Sequence, residues 1–177
     1  MRIISGYHKG RKIQAPKKLP VRPTTDMAKE ALFNIINNRF YFDELKVLDL
    51  FAGTGNISYE FASRGTEDIT SVDDHYGCVK FIESTADQLE LPIEAVKSDA
   101  FSFLERTPEQ YDLIFADPPY DFTKEQFARI PELIFNQKLL NEDGLLILEH
   151  SKHTDLSDLD HFVESKGYGG NRFSFFK

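Results

Sequence analysis

The stretch Lys46-Val47-Leu48-Asp49-Leu50-Phe51-Ala52-Gly53-Thr54-Gly55-Asn56 decides how the rest of the chain is read. It opens as a short apolar run, the pattern of a strand buried on both faces. It closes on Gly53 and Gly55, just before a helix-like segment from Ile57 to Arg64. Strand, glycine turn and helix N-terminus together suit a nucleotide-like ligand. Glycine lets the ligand approach the backbone, and the first N–H groups of the helix lack partners within it.

Outward from this stretch the chain alternates. Strands are expected at Val47–Leu50, Ile69–Val72, Ile93–Lys97, Leu113–Ala116 and Leu145–Glu149, with a final pair near Tyr168 and Phe173–Phe176. Helices are expected at Ile57–Arg64, Tyr76–Leu89, Ala100–Glu105, Lys124–Asn136 and Leu156–Ser165. Alternation of this kind predicts an α/β fold with a parallel sheet covered on both faces. Gly169-Gly170-Asn171 reads as a tight turn, so the last strand should run antiparallel.

Ahead of this core lies a different composition. Residues 1–25 hold seven basic residues and no acid; the other 14 basic residues face all 29 acids, and the whole chain carries −8. Ile3, Ile4 and Ile13 interleave with polar residues, which predicts a β-hairpin turning near His8 to Gly10. A helix from Thr25 to Arg39 follows, with apolar residues at helical spacing. The domain reading is therefore a basic arm, 1–25, and a core, 26–177, that begins with a packing helix. A basic arm on an acidic body suits an anion-binding surface, or else a solubilising tail. At 177 residues and 41% apolar, one domain can bury a sizeable core, rich in its 16 Phe. The single cysteine excludes an internal disulfide framework, and no apolar run is long enough to span a membrane. A cytoplasmic protein is expected, with a monomer as the default state.

In such sheets the ligand sits beyond the carboxyl ends of the strands, where the strand order reverses. Asp73 ends the second strand about 20 residues past the turn, where a carboxylate can accept ribose hydroxyls. Asp99 follows the third strand and can accept from an adenine amino group, or simply cap the helix that starts at Ala100. After the fourth strand comes Asp117-Pro118-Pro119-Tyr120. Its two prolines stiffen the loop, and neither offers an N–H. The Asp117 carboxylate and a prolyl carbonyl can converge on an exocyclic amino group, while Tyr120 offers a ring for stacking on a base. The turn lacks the third glycine of a dinucleotide site, where Ser58 stands, so a nicotinamide enzyme is the weaker reading. The five His residues show no metal-ligand spacing, and no metal is expected.

Leu48 to Gly55 resembles the S-adenosylmethionine motif of class I methyltransferases, whose Rossmann-like sheet has seven strands and an antiparallel last strand. The resemblance implies a cofactor site at Asp49, Phe51, Ala52, Gly53, Thr54, Gly55, Asp73, Asp99 and Ala100. Asp117-Pro118-Pro119-Tyr120 resembles the catalytic loop of enzymes that methylate exocyclic amines of bases. Arg2-Ile3-Ile4-Ser5-Gly6, Gly10-Arg11-Lys12-Ile13, Arg22-Pro23-Thr24-Thr25-Asp26 and Glu30-Ala31-Leu32-Phe33-Asn34 are similar to the bacterial RsmD family. That family methylates guanine N2 in 16S ribosomal RNA, at a guanine-966-type site. The resemblance thus implies Asp117, Pro118, Pro119 and Tyr120 as catalytic residues. It implies RNA contacts by Arg2, Lys9, Arg11, Lys12, Arg22, Thr24 and Thr25, with 16S rRNA or an assembled 30S subunit as partner. Met27, His8 and Asp73 depart from residues common in the family. The catalytic loop alone fits a DNA or RNA adenine-N6 methyltransferase equally well, and a non-catalytic RNA-binding module explains the arm but neither loop.

Overall fold

Strands that are apolar on both faces need helices on both sides, and the computed structural model, which describes residues 1–22 and 24–177, supplies them. After α1 (Asp26–Asn37) and a single 3₁₀ turn (Phe42–Glu44), the chain runs β1 (Lys46–Leu50), α2 (Asn56–Ser63), β2 (Asp68–Asp73), α3 (Tyr76–Leu89), β3 (Ile93–Lys97) and α4 (Ala100–Arg106). Then come β4 (Tyr111–Ala116), α5 (Lys124–Asn136), β5 (Leu140–Ser151), β6 (Phe162–Tyr168) and β7 (Asn171–Phe176). The seven strands form one sheet in the order β3-β2-β1-β4-β5-β7-β6. β1 to β5 are parallel, and β7 is antiparallel to both β5 and β6. The fold is therefore the expected α/β class. Its order reverses between β1 and β4, which opens a crevice at their carboxyl ends.

Alternate residues of each strand feed two cores. Val47, Leu113, Ile147 and Phe175 pack with α1, α2 and α3 on one face. Leu48, Ile114, Leu148 and Phe176 pack with α4 and α5 on the other. The Phe-rich composition shows in the first core, where the Phe33 and Phe61 rings meet edge to face at 4.7 Å and the Arg64 guanidinium lies over Phe33 at 4.7 Å.

Two expectations need correction. Leu156 to Ser165 is not a helix. Leu156 is buried and Leu159 packs against the second core from turns, and from Phe162 the chain pairs with β7. The apolar spacing is helical, but ladder bonds across the Gly169-Gly170 turn satisfy the backbone of 162–168 in the sheet instead. The arm is also less regular than a hairpin. Its two limbs share one bridge, Arg2 with Lys12, around a turn spanning residues 5–10.

The arm does not float. Ile3 and Ile13 are buried in the first core. The buried Glu60 carboxylate on α2 accepts the Ile4 and Ser5 N–H groups at 2.9 and 3.0 Å. Lys29 on α1, also buried, donates to the Arg2 carbonyl at 2.6 Å and to Asn56 Oδ1 at 2.8 Å, and lies 3.4 Å from Glu60. Burial lowers the Lys29 pKa, and Glu60 partly opposes the shift.

Candidate active site

β1 ends where its carbonyls and the incoming turn must part, and the backbone there is unusual. Phe51 has φ 56°, a left-handed conformation that is uncommon outside glycine. Gly53 and Gly55 follow with φ 56° and 87°. A Cβ on Gly55 would lie 2.7 Å from the Tyr59 ring, so glycine is required there by packing as well as by φ. Gly55 is thus the N-cap of α2 and faces Tyr59, away from the crevice.

The crevice is a cavity of about 490 Å³ at the carboxyl ends of the strands. The expected cofactor residues Asp49, Phe51, Ala52, Gly53, Thr54, Asp73, Asp99 and Ala100 line it, as do Asp117, Pro118, Pro119 and Tyr120. Of the expected cofactor residues only Gly55 stands outside it. Asp73 accepts the Gly53 N–H at 2.8 Å and the His75 N–H at 2.9 Å, so the carboxylate also shapes the turn. Burial raises its pKa, and these two N–H groups oppose the rise. Asp99 caps α4 by accepting the Ser102 N–H at 2.9 Å, and it also lines the cavity.

Ser58, standing where a dinucleotide site would have its third glycine, donates to Asp49 Oδ2 at 2.6 Å. Its hydroxyl also pairs with that of Ser71 at 2.6 Å. Asp49 is 1% exposed, and burial pushes its carboxyl up to about 7. Asp117 is held well above the usual carboxylate range, first by burial and then by the charges of Glu149 and Asp49. The cavity is thus rich in carboxyl groups whose ionisation is unfavourable until a cation or hydrogen-bond donors arrive.

Glu149, Asn171 and the position of Arg22 are what the sequence reading missed. Glu149 lies near the end of β5 and Asn171 begins β7, which runs the other way, so both reach the same end of the sheet. The Glu149 carboxylate accepts Thr24 Oγ1 at 2.9 Å and Asn171 Nδ2 at 2.7 Å. The Tyr120 hydroxyl donates to Asn171 Oδ1 at 2.9 Å. The Arg22 guanidinium covers a face of the Tyr120 ring at 4.5 Å, a cation–π contact. The rule that ligands meet strand ends could have flagged Glu149, had it been applied to the fifth strand as well as the first four. Nothing local marks Asn171, which reads as a turn residue.

The basic arm divides. Lys9, Arg11 and Lys12 are exposed and lie outside the cavity. Arg2 is exposed but pairs with Asp26 at 3.1 Å. Thr25 caps α1, accepting the Ala28 N–H at 3.2 Å. Thr24 corrects the expectation of a phosphate contact: it is buried, and its hydroxyl is engaged by Glu149. Arg22 likewise sits at the cavity rather than on the outer arm. Pro23, within the motif from Arg22 to Asp26, lies outside the described residues. Among the described residues no helix is long and apolar enough to cross a membrane, and no group of His, Cys, Asp and Glu is arranged to hold a metal.

The family model described as conserved hypothetical protein 95 matches residues 1–177. The chain is 36% identical over 163 residues to a Bacillus subtilis (strain 168) protein provisionally named rRNA methyltransferase YlbH, covering 89% of this chain and 86% of that one. It is 33% identical over 150 residues to ribosomal RNA small subunit methyltransferase D of Escherichia coli K12, covering 84% of this chain and 74% of that one. It superposes with a TM-score of 0.86 on the structure of an Escherichia coli protein provisionally named methyltransferase yhhF, at 26% identity, covering 99% of this chain and 96% of that one.

Proposed function

This chain belongs to the conserved hypothetical protein 95 family, the RsmD family of rRNA methyltransferases, and we propose that it methylates the exocyclic N2 of a guanine in 16S rRNA. The donor is S-adenosylmethionine, and the partner is 16S rRNA or the assembled 30S subunit. The observation that carries this reading is that the Asp117–Tyr120 loop and the Gly53 turn open onto one cavity.

The residues present fit the donor. Asp73 has carboxylate lone pairs for ribose hydroxyls, Asp99 has an acceptor for an amino group, and the buried carboxyl groups favour a cationic ligand. When bound, S-adenosylmethionine supplies a methyl group already activated on a sulfonium. The protein therefore needs to orient an amine rather than build a strong nucleophile. Asp117 and a prolyl carbonyl hold the amine's hydrogens and direct its lone pair. Tyr120 stacks on the base, which must leave its own stack to enter the cavity. Residues 1–25 form the RNA arm, with Lys9, Arg11 and Lys12 meeting phosphates and adding affinity without reading sequence.

The test uses labelled S-adenosylmethionine with 16S rRNA, 30S subunits or duplex DNA, followed by digestion and identification of the methylated nucleoside. N2-methylguanosine is expected, from RNA only. N6-methyladenine in any arm overturns the guanine assignment. Asp117→Ala should abolish turnover while calorimetry still shows cofactor binding; turnover retained by this variant refutes its role.

A further inference from the structure

Beyond the reaction lies the question of how the cavity tells one amino-bearing base from another. We propose that Glu149 is a specificity-determining residue: its carboxylate accepts the N1–H of the target guanine while Asp117 takes the exocyclic amine. This rests on the guanine-N2 reading above.

Thr24 and Tyr120 have their hydroxyl hydrogens engaged, by Glu149 and Asn171 respectively. Asn171 has one amide hydrogen engaged by Glu149. What remains beside the ring of Tyr120 is the Arg22 guanidinium over one face of the ring and, as acceptors, the carboxylates of Asp117 and Glu149, all lining the cavity. Each Glu149 oxygen accepts one bond from the protein and keeps a lone pair. Burial raises the Glu149 pKa, and these two bonds and the Arg22 charge oppose the rise by favouring the charged, accepting form.

Base chemistry does the rest. Guanine presents two adjacent donors on its Watson–Crick edge, the N2 amine and N1–H. Adenine and cytosine present an amine beside a bare ring nitrogen, which is an acceptor. A carboxylate facing that position attracts guanine and repels the other two. A site built to hydrogen-bond a donor leaves a buried acceptor unpaired when that donor is missing, and this discriminates far more strongly than shape.

Glu149 is also well supported. It is 3% exposed, and Thr24 and Asn171 fix it from two directions. Asn171 grips both Glu149 and Tyr120, so the carboxylate and the stacking ring are held by one side chain. A specificity element placed this way keeps its distance to the ring plane.

The test replaces the target guanine of 16S rRNA, at the position located by nucleoside mapping, with 2-aminopurine. That base keeps the amine at position 2 but has no hydrogen on N1. The readout is the ratio of kcat/KM for guanine over 2-aminopurine, which removes the intrinsic reactivity of each amine from the comparison of variants. Glu149→Gln offers an amide hydrogen to the bare N1. It should lower this ratio about tenfold or more, through loss on guanine and gain on 2-aminopurine. Calorimetry with S-adenosylhomocysteine should show cofactor affinity unchanged. If Glu149→Gln does not fold, Asn171→Ala, which loosens the carboxylate without removing it, should move the ratio in the same direction. A ratio unchanged in the folded variant, with both substrates slowed alike, overturns the proposal while leaving guanine methylation intact. Failure of the unmodified protein to yield N2-methylguanosine overturns both readings at once.

Discussion

Replacing Asp49 by Asn should make the ligand-free protein more stable at alkaline pH than the unaltered chain, and the reason lies in burial. Asp49 sits in β1 at 1% exposure, and its carboxyl is raised from 3.8 to about 7, chiefly by desolvation. The unfolded chain releases this proton near 3.8, whereas the native state holds it to about 7. Between these values the native state binds more protons, so stability falls as pH rises, by at most about 1.4 kcal/mol per pH unit. Over the whole window the loss is about 4 kcal/mol. The amide has no proton to lose, and its oxygen still accepts from Ser58. Asp73, Asp117 and Glu149 are raised as well and add slopes of the same sign, while burial lowers His150 and adds the opposite slope. These contributions are present in both proteins, and loss of the Asp49 charge relaxes Asp117, which widens the gap in the same direction. From about pH 5 to about pH 8 the stability gap should therefore grow by about 3 kcal/mol. For a chain of this length that is about 6–12 °C in Tm. Scanning calorimetry of both proteins at fixed ionic strength measures it. Parallel curves of Tm against pH would show that Asp49 titrates as an ordinary carboxylate and refute the reasoning.

The arm and its anchor can be tested separately. Lys29→Met should cost about 3–5 kcal/mol by urea unfolding, because Glu60 loses a buried partner; the retained Arg64 contact at 2.9 Å favours the lower end. A loss below about 1 kcal/mol would place this pair with surface ion pairs. Neutralising Lys9, Arg11 and Lys12 together to Gln should weaken RNA binding and reduce the slope of log K against log salt by about 2–3, as three lost phosphate contacts require. An unchanged salt slope would mean that these exposed cations only solubilise the chain.

The local sequence determined the elements whose causes are local. The apolar run Val47–Leu50 and the proline-stiffened Asp117 loop each act within a few residues, and both are found where their chemistry puts them. Gly55, expected to admit the ligand, instead faces Tyr59. Alternating strands and helices then leave little choice of layer order, so the class of fold and the end of the sheet that holds the cavity were legible as well. What was not legible comes from pairing over distance. Residues 156–165 carry a helical spacing, but β7 recruits 162–168 as a strand, and ladder bonds outweigh the local pattern. Thr24 reads as an arm residue beside basic neighbours, yet its hydroxyl partner, Glu149, is 125 positions away. Asn171 reads as a turn, and only the antiparallel return of β7 carries it beside Tyr120, 51 positions earlier. Hydrophobic period and turn chemistry are written into neighbouring residues, because they act on φ, ψ and the faces of single elements. The partners of a buried carboxylate are not, because they follow from which strand ends meet once the sheet has closed around its switch point.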